Sequence, residues 1–146
     1  MTQTLNLSKN TIIDARGPRF GAVITTAVLA TALATNNVWV IVAHAIVFAI
    51  GAIKGPQFTP YAFIYKTLIK PRLKSAFVSE DVRPPQFAQT VGLLFALAAI
   101  GGVLFGVNAI FTIAVAFALG AAFLNAAFNF CLGCEIYLLL LRARSK

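Results

Sequence analysis

"FGAVITTAVLATALATNNVWVIVAHAIVFAIGAI", residues 20–53, decides the fold class. It contains no Asp, Glu, Lys or Arg. Two apolar runs, residues 20–35 and 38–53, are parted by the polar, uncharged turn "TNNV". A helix needs roughly 20 apolar residues to cross the hydrocarbon core. Each run is slightly short, so each must borrow flanking residues or thin the bilayer locally. Together they predict a helical hairpin in a membrane.

A second pair of runs follows. One spans about Phe87 to Val107; the other begins near Ala109 and stays apolar until Leu141. The last is too long for one upright span, so it is expected to cross once and then bend or follow the interface. Composition agrees. Of 146 residues, 60% are hydrophobic and 11% charged, against about 25% charged in soluble domains. Mean hydropathy is +0.87. The first eighteen residues are polar, so no cleavable signal peptide is expected.

The net charge of +8 does not indicate nucleic acid. The basic residues flank apolar spans instead of interleaving with stacking aromatics. The uncharged turns at 35–38 and 105–108 face one side of the membrane. All twelve Lys and Arg lie elsewhere: Lys9, Arg16 and Arg19; the stretch from Lys54 to Arg83; and Arg142, Arg144 and Lys146. With four spans these regions share one side, which the positive-inside rule makes the cytoplasm. The expected architecture is all-α and integral to a bacterial inner membrane, multi-pass, with both termini cytoplasmic and Trp39 near the outer interface.

The two halves resemble each other. "DARGPRF" (14–20) and "DVRPPQF" (81–87) share Asp-x-Arg-x-Pro-x-Phe. "FAIGA" (48–52) aligns with "FCLGC" (130–134), and "IYKTLIKPRLK" (64–74) with "IYLLLLRARSK" (136–146). The single membrane domain, 1–146, therefore reads as two tandem hairpin repeats, about 14–74 and 81–146. A two-crossing unit returns to its starting side, so the repeats are parallel about an axis along the membrane normal. Pro18 and Pro84 or Pro85 suit a first helical turn, and Asp14 and Asp81 lie just upstream, where carboxylates favour the positive helix end. Arg16 and Arg83 belong at the lipid–water boundary. They contact headgroups or, under two-fold symmetry, Asp81 and Asp14 respectively.

Residues 61–70 alternate aromatic, apolar and basic, and predict an interfacial amphipathic helix in the central cytoplasmic loop, on the anionic inner leaflet. Its roles are stapling the hairpins or docking a partner. Small residues at Gly17/Gly21, Gly51/Gly55, Gly102/Gly106 and Ala116/Gly120 suit close helix packing. Asn125 and Asn129 suit interhelical hydrogen bonds. His44 lies inside the second span, where an ionisable group is either functional or a neutral, hydrogen-bonded packing residue.

Both cysteines, Cys131 and Cys134, fall in "FCLGC". Ala49 and Ala52 take their places in the first half under the alignment above, so the fold itself does not require sulfur. Two residues at i and i+3 share a helical face, and Gly133 would loosen the helix and let the thiols converge. Cytosolic thiols are normally reduced, so no stable structural disulfide is expected. Four readings remain open: a redox dithiol, a sulfur relay through a persulfide, a soft-metal site on two thiolates, and plain packing. Glu135, beside Cys134, would accept a thiol proton or raise the thiol pKa.

The motifs "DARGPRF", "EDVRPPQFAQ" and "LNAAFNFCLGCEIYLLL" resemble a bacterial four-helix membrane family of unknown function (DUF4395-like). The resemblance runs from about Asp14 to Arg142. It implies a small inner-membrane protein with a cytoplasmic C-x-x-C, and it supplies no activity that would rank the readings. The preferred reading is thiol or sulfur chemistry at Cys131, Cys134 and Glu135, with a thioredoxin-like or sulfurtransferase partner. The alternatives are an accessory subunit of a larger membrane complex and a small transporter formed by oligomerisation. No cofactor is expected beyond the soft metal ion of the third reading.

Overall fold

A computed structural model describes residues 12–14, 16–72, 79–128 and 130–145. The order is β1 (Ile12–Asp14), α1 (Arg16–Thr35), α2 (Val38–Ile53), a 3-10 turn (Pro56–Phe58) and α3 (Pro60–Ile64). The chain runs on from α3 through a π-type turn (Tyr65–Ile69) and a 3-10 turn (Lys70–Arg72). Then come β2 (Ser79–Asp81), α4 (Arg83–Leu104), α5 (Asn108–Phe128) and α6 (Leu132–Ser145). Helices α1, α4 and α5 are long and apolar enough to cross a membrane; α2 is apolar but has only 16 residues.

The two hairpin turns close where the sequence changes character. Asn36 adopts φ 53°, a left-handed conformation that Asn tolerates well. The Asn37 side chain then caps α2 by accepting from the Trp39 N–H at 2.9 Å, as N-cap residues do. In the second turn Gly106 takes φ 76°, which a side chain would strain. The Val107 N–H donates back to the Gly102 carbonyl at 2.7 Å and so closes the end of α4.

Helix α2 packs on α4, α5 packs on α1, and α4 packs on α5. The buried seam is rich in small residues, among them Ala32, Ala45, Ala96, Ala99, Ala114 and Ala118, with Leu29, Ile41, Phe111 and Val115 filling the centre. Large apolar side chains point outward: Leu104 is 78% exposed and Phe117 65%. Small residues inside and large ones outside is the pattern of helices that pack by close backbone approach in lipid. In water so much exposed apolar surface would drive association.

A short two-stranded ladder adds to the helices, one strand opening each half of the chain. β1 and β2 pair antiparallel, Ile12 with Asp81, Ile13 with Glu80 and Asp14 with Ser79. The ladder is centred on Ile13 and Glu80. These residues lie 67 positions apart, the shift that superposes Asp14 on Asp81 and Phe20 on Phe87. Arg16 and Arg83 open α1 and α4, with Pro18 and the buried Pro85 in their first turns as expected. The side chains of Asp14 and Asp81 lie outside the described residues, and with them the expected pairs to Arg83 and Arg16; Asn129 lies outside as well.

One expectation is corrected and two are made specific. "FAIGA" and "FCLGC" are not structural counterparts: the first ends α2, whereas the second straddles the boundary between α5 and α6. The long apolar stretch after Ala109 breaks as expected, and the break falls before Cys131. The segment 61–70 is helical as expected, but only its start is α-helical and a π-helical stretch follows. Of the small-residue pairs, Gly17 and Gly21 receive the rings of Tyr65 and Tyr61, while Gly120 faces open space.

Candidate functional site

Helix α5 ends at Phe128, and the Phe130 N–H bonds back to the Leu124 carbonyl at 3.2 Å. Such a bond satisfies a helix-end carbonyl and turns the chain. Cys131 follows immediately, at the N-cap position of α6. Its carbonyl accepts from the Glu135 N–H at 3.0 Å, and its sulfur from the Cys134 N–H at 3.2 Å. The two cysteines are therefore not i and i+3 on the face of a continuing helix. One caps a new helix and the other sits in its first turn.

The sulfurs are joined, with the Cα atoms 5.1 Å apart. The N-cap geometry turns Cys131 back over the first turn, where the two sulfurs come within bonding distance. Cys131 is partly exposed, whereas Cys134 is buried. The Glu135 side chain is exposed. Its contribution to the local geometry is its backbone N–H.

Gly133 has a packing role that the sequence did not reveal. A Cβ there would lie 2.7 Å from the Ala88 Cβ and 2.8 Å from its Cα. The glycine lets the start of α6 lie directly on α4. Four residues on, Tyr137 meets Phe87 in a tilted ring contact with centroids 5.5 Å apart. Gly51 plays a similar part on α2, where a Cβ would meet the Gln89 side chain at 2.7 Å.

The start of α3 has the same construction. Thr59 caps it, its hydroxyl accepting from the Ala62 N–H at 3.3 Å. Tyr65 meets Phe20 with centroids 5.9 Å apart. A uniform shift of 72 residues carries "FTPYAFIY" (58–65) onto "FCLGCEIY" (130–137) without a gap. The places of Cys131 and Cys134 are thus held by Thr59 and Ala62, not by Ala49 and Ala52. An ungapped comparison of these two octapeptides would have found this from sequence.

His44 lies apart from the cysteines. It is 2% exposed, stands edge-on to Phe48, and its Nδ1 pairs with the Tyr61 hydroxyl at 2.9 Å. Its Nε2 has no hydrogen-bond partner among the described residues. Tyr61 is the partner that sequence reasoning missed; burial raises its phenol above the ordinary value, which keeps the hydroxyl protonated. The cavity beside His44 is otherwise walled by apolar residues including Leu29, Phe95 and Val115. Among the described residues no three of His, Cys, Asp and Glu gather as a metal site.

No curated protein and no solved structure matches the chain. Residues 13–142 match one family throughout, including both Arg-x-Pro-x-Phe motifs and the C-x-x-C helix start, and the chain belongs to that family, the domain of unknown function DUF4395.

Proposed function

We propose that this protein is a membrane-embedded thiol–disulfide exchange protein acting through Cys131 and Cys134. One observation carries the proposal: the C-x-x-C spans a helix N-terminus with its sulfurs joined, the first partly exposed and the second buried. A helix N-terminus stabilises a thiolate, and exchange needs one sulfur within reach of a partner and one shielded. An incoming partner thiolate attacks the Cys131 sulfur. The Cys131–Cys134 bond breaks, and Cys134 leaves as a thiolate and takes up a proton. A second partner thiolate then attacks the partner's own sulfur in the mixed disulfide and releases Cys131. The pair gains two electrons and two protons, and the partner's dithiol becomes a disulfide.

The charge pattern supports the setting. With four crossings, α2 included, the loop around α3 and the C-x-x-C share the side that carries the Lys and Arg, which the positive-inside rule makes the cytoplasm of an inner membrane. A disulfide there is ordinarily transient and catalytic, which favours exchange over a structural bond. The partner is a thioredoxin-like or sulfurtransferase protein from the cytoplasm, and the basic face also meets anionic lipid. Two tandem repeats, each an opening strand, a helical hairpin and a capped third helix, account for the symmetric ladder and the paired Phe–Tyr contacts.

The test is equilibration of the protein in lipid nanodiscs with glutathione buffers of graded potential, followed by maleimide mass-tagging of free thiols. Reversible two-thiol labelling at cytosolic potentials is expected, and Cys131→Ala should abolish mixed-disulfide capture. A pair that stays oxidised, or stays reduced, at every potential would refute the proposal.

A further inference from the structure

The last turn of α5 holds a residue from the other half of the chain. Arg19, in the first turns of α1, reaches across the bundle, and its Nε donates to the Ala126 carbonyl at 3.3 Å. That carbonyl is one of the four at the end of α5 that have no partner within the helix. A cation there also meets the negative end of the helix dipole. The same turn supplies the Leu124 carbonyl that holds the Phe130 N–H, and Phe130 is covalently next to Cys131. Carbonyls two residues apart are separated by a rise of about 3 Å. Arg19 and the backbone leading into the C-x-x-C are therefore fastened to one turn of one helix.

We infer that Arg19 is a positioning residue of the thiol site, which fixes the α5 exit that presents Cys131 and lends positive charge to the helix end from which Cys131 follows. The inference rests on the exchange function proposed above. A negative thiolate at Cys131 gains from two positive sources, the N-terminus of α6 and this guanidinium. Glu135 in the first turn of α6 opposes them. The other charged groups on the packed elements are Arg16, which opens α1, Arg83 at the start of α4, and Arg142 and Arg144 in the last turns of α6. Arg19 is supplied by α1, in the other half of the chain, so the site is complete only when both halves are assembled.

The test follows the pH dependence of Cys131 alkylation by iodoacetamide in the Cys134→Ser background in nanodiscs, for the parent, Arg19→Lys and Arg19→Gln. Circular dichroism confirms that each variant is folded. Arg19→Gln is expected to raise the midpoint by about half a unit to one unit, less than the 1–3 units of a direct ion pair. Arg19→Lys should keep the midpoint near that of the parent, because it keeps the charge. Should Arg19→Gln fail to insert, Arg19→Met carries the same measurement. An unchanged midpoint in the neutral variant, alongside normal glutathione exchange by the parent chain, overturns the role of Arg19 and leaves the exchange function standing. Failure of the parent to exchange at all overturns both.

Discussion

Substituting Gly133 by Ala tests how the thiol site is mounted. The new methyl would sit 2.7 Å from the Ala88 Cβ and 2.8 Å from its Cα, where relaxed carbon contacts lie at about 3.5–4.0 Å. Part of the obstacle is backbone, so α6 must move off α4 by the better part of an ångström. Overpacking of this kind costs about 1–3 kcal/mol. The better helix propensity of Ala returns about 0.5–1 kcal/mol. The net expectation is a loss of about 1–2 kcal/mol, or a melting temperature lower by roughly 3–6 °C for a chain of this size. Melting in nanodiscs, followed by circular dichroism, measures it. Displacing α6 also disturbs the Tyr137–Phe87 contact, so glutathione exchange at Cys131 should change in the same variant. Adding Ala88→Gly should restore part of the loss only, since the Ala88 Cα remains in the way. A Gly133→Ala protein that melts at or above the parent would show that α6 does not rest on α4 at Ala88.

Four further outcomes are expected. Tyr61→Phe leaves both His44 nitrogens buried without partners and should cost about 1–3 kcal/mol; the double variant His44→Leu/Tyr61→Phe should melt closer to the parent than Tyr61→Phe alone. Asn37→Ala removes the α2 cap and should lower stability by about 1 kcal/mol, read from the same melts. Double-mutant cycles on Phe20/Tyr65 and Phe87/Tyr137 should each give a coupling of about 0.5–1.5 kcal/mol, and a coupling in one pair alone would speak against tandem repeats. Maleimide labelling should occur in inverted vesicles only after reduction, and labelling confined to right-side-out spheroplasts would reverse the topology.

The opening stretch fixes much of this protein by itself. Thirty-four residues without a charge, split by Asn36 and Asn37, have few folded solutions other than a pair of packed apolar helices. The bounds of α2 are those that the hydropathy pattern predicts, because Asn37 at one end and Lys54 at the other change the chemistry abruptly. The first turns of α1 and α4 are legible from Pro18 and Pro85 for the same local reason. What escaped the sequence was decided by contacts between distant segments. A ladder between residues 12–14 and 79–81 leaves no periodic trace in strands of three residues. The Tyr61–His44 bond and the Arg19–Ala126 bond join elements 17 and 107 residues apart. The cysteines show the limit most clearly. Residues 109–141 are apolar throughout, except at Thr112, Asn125, Asn129 and Glu135, so periodicity cannot locate a helix boundary within them. Only the seating of Gly133 on Ala88, and the turn of Phe130 back onto α5, end one helix and begin another. That boundary converts two cysteines on an unbroken helical face into a capped, half-exposed disulfide.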